Sequence, residues 1–160
     1  MTDPYGTPYT TDQKDIEFMQ LSIKEAHKSI PAPQAYCVGA ALVSAKGELL
    51  STGYSRELPG NTHAEECCLA KLDHSVDLSG ATMYTTMEPC SIRLSGNRPC
   101  SDRIIEAKIK RVVLGVREPP NLVTCEGINL LEQKGVQVFV VPGVEDACLA
   151  PNQHILKKEN

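Results

Sequence analysis

Apolar side chains recur at helical spacing near the start of the chain. They fall three or four positions apart, and two prolines shortly afterwards end the pattern; the apolar residues are Ile16, Met19, Ile23 and Ala26. Residues at this spacing share one face of an α-helix. The segment therefore predicts an amphipathic helix that begins near Asp12 and ends before Pro31.

The rest of the chain alternates short apolar runs with segments of helical spacing. The runs predict a hairpin over 37–55, with its turn at Lys46–Gly47, and strands over 81–87, 111–116 and 136–141. The segments between them predict helices over about 63–73, 100–108 and 125–134. A hairpin followed by alternating helices and strands predicts a mixed five-stranded sheet with helices on both faces.

The length and composition are those of one globular domain. The chain has 160 residues, of which 41% are hydrophobic and 22% are charged, and a chain of this length can bury one substantial core. Residues 1–11 are rich in proline, glycine and hydroxyl side chains. We expect these residues to form a flexible N-terminal tail and residues 12–160 to form the domain.

Charge and hydropathy disfavour two classes of partner. The net charge of −4 provides no positive excess to neutralise a nucleic-acid backbone. No apolar run approaches the roughly 18 residues that cross a bilayer, and the N-terminus has neither the basic nor the hydrophobic stretch of a targeting signal. We expect no nucleic-acid partner, no membrane partner, and a location in the cytoplasm, with the nucleus as an alternative.

Three potential metal ligands fall where the predicted sheet brings chain ends together. His63 opens one predicted helix, Cys90 follows a strand and Cys100 opens the next helix. Imidazole and thiolates bind tetrahedral zinc, and three protein ligands leave the fourth position for water. Zinc lowers the pKa of that water to near 7. The pattern predicts one catalytic Zn²⁺ per chain.

Glu65 lies two residues after His63 and has two competing interpretations. As a catalytic group it would take a proton from the water and return it to a substrate nitrogen, a role worth about 10² to 10⁴ in rate. As a structural group it would complete a capping box with Thr62 at the N-cap. The downstream cysteines have no comparable structural explanation, so the sequence favours metal catalysis.

The motifs around these residues resemble those of a known family. The stretches "HAE" at 63–65 and "MEPC" at 87–90 are similar to the H-x-E and P-C motifs of the cytidine deaminase superfamily. Most members have two residues between their cysteines, whereas nine separate Cys90 from Cys100, as in riboflavin-pathway deaminases. Among these, residues 35–145 resemble the fungal pyrimidine deaminases. The resemblance implies a cytidine-deaminase-like three-layer α/β/α sandwich.

The same resemblance implies a reaction and an assembly. Such enzymes hydrolyse an amino group from 2,5-diamino-6-ribitylamino-4(3H)-pyrimidinone 5'-phosphate and release ammonia. Water adds to the amidine-like ring carbon, and Glu65 carries protons to a ring nitrogen and then to the departing amine. Members of the superfamily form dimers or larger assemblies, so we expect a homodimer.

Substrate contacts are predicted where this chain matches or departs from that family. Bacterial relatives have a histidine seven positions before the zinc histidine, and Arg56 stands there in this chain. We predict that Arg56 contacts the open-chain ribityl group and that Ala64, inside the H-x-E motif, lines the substrate site. Many members have an asparagine where this chain has Ala35, followed by Tyr36, so recognition of the ring or sugar must differ.

The loop between the two cysteines is predicted to bind the phosphate. Arg93, Asn97 and Arg98 offer hydrogen-bond donors, and Gly96 allows close approach to the backbone. The alternative is an ordinary solvated loop in which the arginines contact only water.

Two other functions remain open at this level. The chain could deaminate another free base or nucleoside, or it could be a non-catalytic zinc module that binds RNA or a partner protein. The remaining cysteines are assigned no role in either case. Cys67 and Cys68 fall within a helix and are predicted to pack in the core. The other three have no partner at the spacing of metal ligands. The C-terminal residues 146–160 could form a short helix over the site or against a partner subunit, and the sequence does not select between these.

Overall fold

A five-stranded sheet with helices on both faces forms the centre of the molecule. The computed structural model describes residues 1–33, 35–90, 98–117 and 126–156. The strands are β1 (Gly39–Val43), β2 (Leu49–Tyr54), β3 (Thr82–Met87), β4 (Arg111–Val116) and β5 (Gln137–Val140). The helices are α1 (Gln13–Ala26), α2 (Ala64–Ala70), α3 (Cys100–Glu106), α4 (Gly127–Gln133), α5 (Glu145–Leu149) and α6 (Gln153–Leu156), with a 3₁₀ turn over Ala150–Asn152.

The strand order places β3 in the middle of the sheet. The order is β2-β1-β3-β4-β5, with β1 antiparallel to both of its neighbours and β3, β4 and β5 parallel to one another. All six residues of β3 are buried, as expected for a central strand covered on both faces. The mixed five-stranded sheet predicted from the sequence is confirmed, and the chain leaves β3 directly into the Glu88–Cys90 segment.

Alternate strand residues face opposite layers of the molecule. On β1, Leu42 packs in the core under α2, α3 and α4, whereas Ala41 and Val43 pack towards α1 and α5. Met19 and Ile23 of α1 complete the second core. Full burial of each such side chain stabilises the fold by about 1.5–3 kcal/mol, so α1 is fixed mainly by this apolar face. The three-layer sandwich is confirmed.

Residues 1–10, which composition predicts to be part of a flexible tail, follow a defined path beside β5. The N–H of Val140 donates to the carbonyl of Pro8 at 2.9 Å, and the N–H of Thr10 donates to the carbonyl of Val140 at 2.9 Å. Asp3 pairs with Arg117 at 3.0 Å. This segment covers the outer edge of β5, a position that composition does not predict because the partners lie more than 100 residues away.

The C-terminal helices are anchored to the start of β1. Asn152 is fully buried, and its side-chain oxygen accepts the Cys37 N–H at 2.6 Å. Its amide nitrogen donates to the carbonyls of Cys37 and Cys148 at 3.2 and 3.3 Å. The predicted short helix is therefore present and packs within the same chain. In the parts of the chain that the structure describes, no helix has the length and apolar character needed to cross a membrane.

Candidate metal centre and active site

Three elements bring the predicted ligands together. His63 is the residue immediately before α2, Cys90 follows the end of β3, and Cys100 is the first residue of α3. The carboxyl end of a central strand and the amino ends of two helices on one face of the sheet lie close together in α/β folds. His63 and Cys90 are 27 positions apart in sequence, and Cys90 and Cys100 are 10 positions apart. The fold places both pairs within contact distance.

The ligand atoms have the spacing that zinc requires. The Nδ1 atom of His63 lies 3.6 Å from Sγ of Cys90 and 3.4 Å from Sγ of Cys100, and all three atoms lie within 4.8 Å of one another. Zinc bonds of about 2.0–2.1 Å to nitrogen and about 2.3 Å to sulfur, at tetrahedral angles, place nitrogen and sulfur roughly 3.6 Å apart. The residues therefore fit a tetrahedral Zn²⁺ with one position left for a non-protein ligand.

The Cys90 thiol is prepared for the metal by its surroundings. A hydrogen bond from the Cys100 side chain is the main influence; burial opposes it, and His63 and the Cys100 backbone N–H reinforce it. Together they lower the pKa of Cys90 to about 4. The Cys100 N–H lies 3.2 Å from Sγ of Cys90. This lowering of the pKa favours the thiolate form of Cys90, which is the form that binds zinc.

Glu65 lies in the interior beside this centre. Only 3% of its surface is exposed, and its Oε2 accepts a hydrogen bond from the Thr85 hydroxyl at 3.4 Å. Burial is the main reason that its pKa rises to about 7; the Cys90 thiolate adds to the rise, whereas His63 and Thr85 oppose it. A carboxyl group with a pKa near the working pH can both accept and return a proton.

The capping box at the start of α2 uses the next glutamate. The N-cap is His63, whose backbone N–H donates to Oε1 of Glu66 at 3.1 Å. The Thr62 hydroxyl instead donates to the carbonyl of Leu58 at 2.9 Å. The alternative interpretation of Glu65 as a capping residue is thus wrong by one position. Glu66 caps the helix and pairs with Arg103 at 3.2 Å, so Glu65 remains available for chemistry.

Ser101 supports the metal centre, and the sequence did not single it out. Its hydroxyl donates to the carbonyl of Cys90 at 2.7 Å, and its backbone N–H donates to the same carbonyl at 3.1 Å. Nearby, the first residue of α4, Gly127, packs so closely on the Pro89 carbonyl that a side chain there would overlap it. These contacts fix the backbone of Cys90. In the sequence, the serine directly after Cys100 is the signal that could have revealed the contacts between Ser101 and the Cys90 carbonyl.

Comparison with known proteins places this site in a family. The model of the "Cytidine and deoxycytidylate deaminase zinc-binding region" matches residues 12–116, which include all three ligands and Glu65. The chain belongs to this deaminase family. Membership of this family accounts together for the five-stranded sheet, the H-x-E motif and the two cysteines. It also confirms the resemblance that the sequence motifs indicate.

Two individual relatives indicate that this chain is similar to the riboflavin-pathway members of the deaminase family. The chain is 49% identical over 136 residues to the diaminohydroxyphosphoribosylamino-pyrimidine deaminase of Schizosaccharomyces pombe, covering 83% of this chain and 33% of that protein. It is 38% identical over 128 residues to the riboflavin biosynthesis protein RibD of Actinobacillus pleuropneumoniae, covering 78% of this chain and 32% of that protein. The chain thus spans about a third of the length of these curated relatives.

Solved structures give the same result in three dimensions. The Aspergillus oryzae Rib2 deaminase in complex with DARIPP, a C-terminal deletion mutant, matches with a TM-score of 0.76 and 36% identity, covering 87% of this chain and 90% of that chain. The dCMP deaminase of cyanophage S-TIM5 matches with a TM-score of 0.64 at 23% identity, which supports the fold alone. The cytidine-deaminase-like fold is confirmed.

Ala64 and Arg56 are the two predicted substrate contacts near His63 in sequence. Ala64 is the first residue of α2 and is fully buried between His63 and Glu65. Arg56 has a left-handed backbone, with φ of 62°, and its guanidinium group donates to the Ile30 carbonyl at 2.8 Å and to the Ser29 hydroxyl at 3.0 Å. Arg56 therefore links two loops of this chain, and its contact with substrate stays a prediction.

The predicted phosphate loop is only partly within the described residues. Arg93, Gly96 and Asn97 lie outside them. Arg98 is described, and its guanidinium forms an ion pair with Glu106 of α3. The prediction that this loop binds the phosphate therefore stays a prediction.

Cys67 and Cys68 are fully buried, which confirms their predicted packing role.

Proposed function

We propose that this chain catalyses the hydrolytic deamination of 2,5-diamino-6-ribitylamino-4(3H)-pyrimidinone 5'-phosphate. The observation that carries the proposal is the buried Glu65 carboxyl group beside three atoms that are spaced for zinc. The relative from Schizosaccharomyces pombe is named as a deaminase of a phosphorylated aminopyrimidine, which supports the substrate class. A silent zinc module would have no use for a buried, titratable carboxyl group at this position.

The residues divide the chemistry among them. When bound at His63, Cys90 and Cys100, zinc would supply a polarised water as the nucleophile. Glu65 accepts a proton as the C–O bond forms at the ring carbon and delivers it to the neighbouring ring nitrogen. Glu65 then takes the remaining proton of the added hydroxyl group and passes it to the amino group; the C=O bond forms, the C–N bond breaks, and ammonia leaves. Burial of Glu65 keeps bulk water away from these transfers.

A substrate panel tests the proposal. The zinc-loaded chain is assayed for ammonia release from the ribitylamino phosphate, its ribosylamino counterpart, cytidine and dCMP, and its zinc content is measured by elemental analysis. We expect one zinc per chain and the highest kcat/KM for the ribitylamino phosphate. Faster turnover of cytidine or dCMP would reassign the substrate. Bound zinc without ammonia from any compound would favour the non-catalytic zinc module.

We also propose that the chain forms a homodimer and is located in the cytoplasm, with the nucleus as an alternative. The superfamily resemblance supports the dimer, together with an outer strand, β2, whose Leu49 is 47% exposed. Light scattering coupled to size-exclusion chromatography would give twice the 17.4 kDa chain mass for a dimer. A single-chain mass at micromolar concentration would contradict this proposal without affecting the proposed reaction.

A further inference from the structure

A cleft lies at the end of the sheet opposite the metal centre. Its volume is about 720 Å³, within the range of roughly 300–1,000 Å³ typical of small-molecule sites. Val43, Thr82 and Arg111, in register across β1, β3 and β4, form part of its floor. The lining also includes Asp12, Lys14, Asp15, Phe18, Ser44, Ala45, Lys46, Gly47, Gly80, Tyr84 and Lys110.

The length of β3 separates this cleft from the proposed active site. Thr82 is the first residue of the strand, and Met87, its last, leads to the ligand Cys90. Five residue steps of about 3.3 Å each place the two ends roughly 17 Å apart. A molecule bound in the cleft would therefore not touch the metal ligands.

The cleft has a positive excess in a molecule with a net charge of −4. Four cations line it, and they face only two carboxylates; the cations are Lys14, Lys46, Lys110 and Arg111, and the acids are Asp12 and Asp15. Both acids are already engaged within the fold. Asp12 caps α1 by accepting the N–H groups of Lys14 and Asp15, and Asp15 accepts hydrogen bonds from Thr10, Tyr84 and Arg111.

The four cations therefore differ in whether an acidic side chain of the fold already pairs with them. Arg111 is held by Asp15 at 2.9 Å and lies over the Phe139 ring, with 4.9 Å to the ring centre. Lys14, Lys46 and Lys110 are exposed, and within the residues that the structure describes their ammonium groups have no ion-pair partner. In this described part of the chain, the cleft thus combines a floor whose Arg111 is paired with three lysines that have no acidic partner.

We propose that this cleft binds a small phosphate-bearing polyanion of about nucleotide size. Lysine ammonium groups act as point charges for phosphate oxygens, and three of them from separate elements surround one volume. A small ligand fits better than a long nucleic acid, since the positive excess is confined to this cleft.

Titration with pyrophosphate and ADP tests the proposal on the zinc-loaded chain. We expect calorimetric binding at low salt that weakens as salt rises, because screening acts on exposed charges. The double variant Lys46→Ala/Lys110→Ala should weaken binding by about tenfold or more. The matched control Lys24→Ala/Lys134→Ala removes two exposed lysines outside the cleft and should change the dissociation constant by less than about twofold.

Amide NMR shifts locate the binding and separate it from the proposed active site. Shifts at Gly47, Gly80 and Lys110, with none at Ala64 and Cys100, would support the cleft. Shifts confined to Ala64 and Cys100, equal weakening in both double variants, or no binding of either probe would overturn the proposal. Tighter, length-dependent binding of single-stranded RNA at the same amides would replace the small ligand with a nucleic acid and so also overturn it.

Discussion

Two adjacent glutamates at the start of α2 have opposite environments. The Glu65 carboxyl is buried and faces the ligand Cys90, whereas Glu66 caps the helix and pairs with Arg103. The sequence predicts a catalytic role for Glu65 from its spacing to His63, and that role stays a prediction. The sequence misplaces the capping box by one residue, because threonine is a preferred N-cap residue, whereas the N-cap in the structure is His63.

Paired substitutions should separate these two roles. We expect Glu65→Gln to lower turnover of the diaminopyrimidinone phosphate by about 10² to 10⁴, since it removes proton transfer but keeps size and burial. Glu66→Gln keeps an acceptor for the helix cap, so its turnover should stay within a few-fold of wild type. Ammonia release and zinc content are measured for both. Full activity in Glu65→Gln would remove Glu65 from the chemistry.

Arg56 is the residue at which the sequence and the structure suggest different roles. The sequence predicts a substrate contact, but the guanidinium group donates to Ser29, Ile30 and Tyr36 and lies 3.5 Å from the Cys37 sulfur. Its backbone N–H also donates to the carbonyl of Thr62, one residue before the ligand His63, at 2.6 Å. Arg56 therefore ties the loop that leads to the metal centre to the loop that precedes β1.

Arg56→Lys distinguishes the two roles, because lysine keeps the charge but cannot reproduce several directed hydrogen bonds. We expect the free energy of unfolding to fall by about 1–2 kcal/mol and KM for the phosphorylated substrate to change by less than about threefold. Chemical denaturation and steady-state kinetics measure the two effects. Unchanged stability with a KM raised tenfold or more would instead support the substrate contact.

At the scale of whole elements, hydrophobic periodicity was sufficient for the core elements and insufficient for the ends of the chain. Residues 111–116 were predicted as a strand because they form an apolar run after a helix, and alternate residues do face opposite cores. Residues 1–10 carry no such pattern. Their position depends on backbone pairing with Val140 and on Arg117, and neither partner is detectable from local sequence.

The C-terminal helices present the same difficulty, and Asn152 is the residue that places them. Its buried amide makes three hydrogen bonds that join the 3₁₀ turn to Cys37 and α5. We expect Asn152→Ala to lower the free energy of unfolding by about 3 kcal/mol, because it leaves the buried Cys37 N–H without an acceptor. Urea unfolding measures this loss.

The neighbouring Gln153→Ala provides the control for that substitution. Gln153 is exposed, so its replacement should change stability by less than about 0.5 kcal/mol. Equal losses in the two variants would show that the C-terminal segment contributes through helix formation and not through the Asn152 hydrogen bonds.

At the scale of the whole molecule, the strand order decides where the chemistry lies. The sequence predicted five strands and their connections, but not the order that puts β3 between β1 and β4. Order depends on which long-range pairings bury most apolar surface, and local patterns are compatible with several. Because β3 is central, Cys90 at its end is reached from both α2 and α3, and a three-ligand site becomes possible.

The opposite end of the same strand is held by a polar network. Asp15 of α1 accepts hydrogen bonds from the Tyr84 hydroxyl of β3 at 2.6 Å and from Arg111 of β4 at 2.9 Å, and the Thr10 hydroxyl adds a third at 2.6 Å. Asp15 is only 3% exposed. One carboxylate thus connects the N-terminal segment, the first helix and two central strands.

The protonation of Asp15 makes this connection dependent on pH. Burial alone would raise the pKa of Asp15, but hydrogen bonds from Arg111, Thr10 and Tyr84 outweigh it, so the folded-state pKa lies below the ordinary value of 3.8. A carboxyl group whose pKa is lower in the folded state contributes stability above its unfolded pKa. That contribution is lost as the pH falls through the folded-state value.

Asp15→Asn should therefore cost about 3 kcal/mol of unfolding free energy at pH 7, because the partly buried Arg111 loses its counter-charge. The difference from wild type should stay constant between about pH 6 and pH 8 and shrink below about pH 4, where the wild-type carboxylate itself becomes protonated. Glu17→Gln, on the exposed face of the same helix, controls for the general effect of removing a negative charge. Urea unfolding at several pH values measures both variants, and a deficit that persisted undiminished at pH 3 would mean that Asp15 acts through packing and not through its charge.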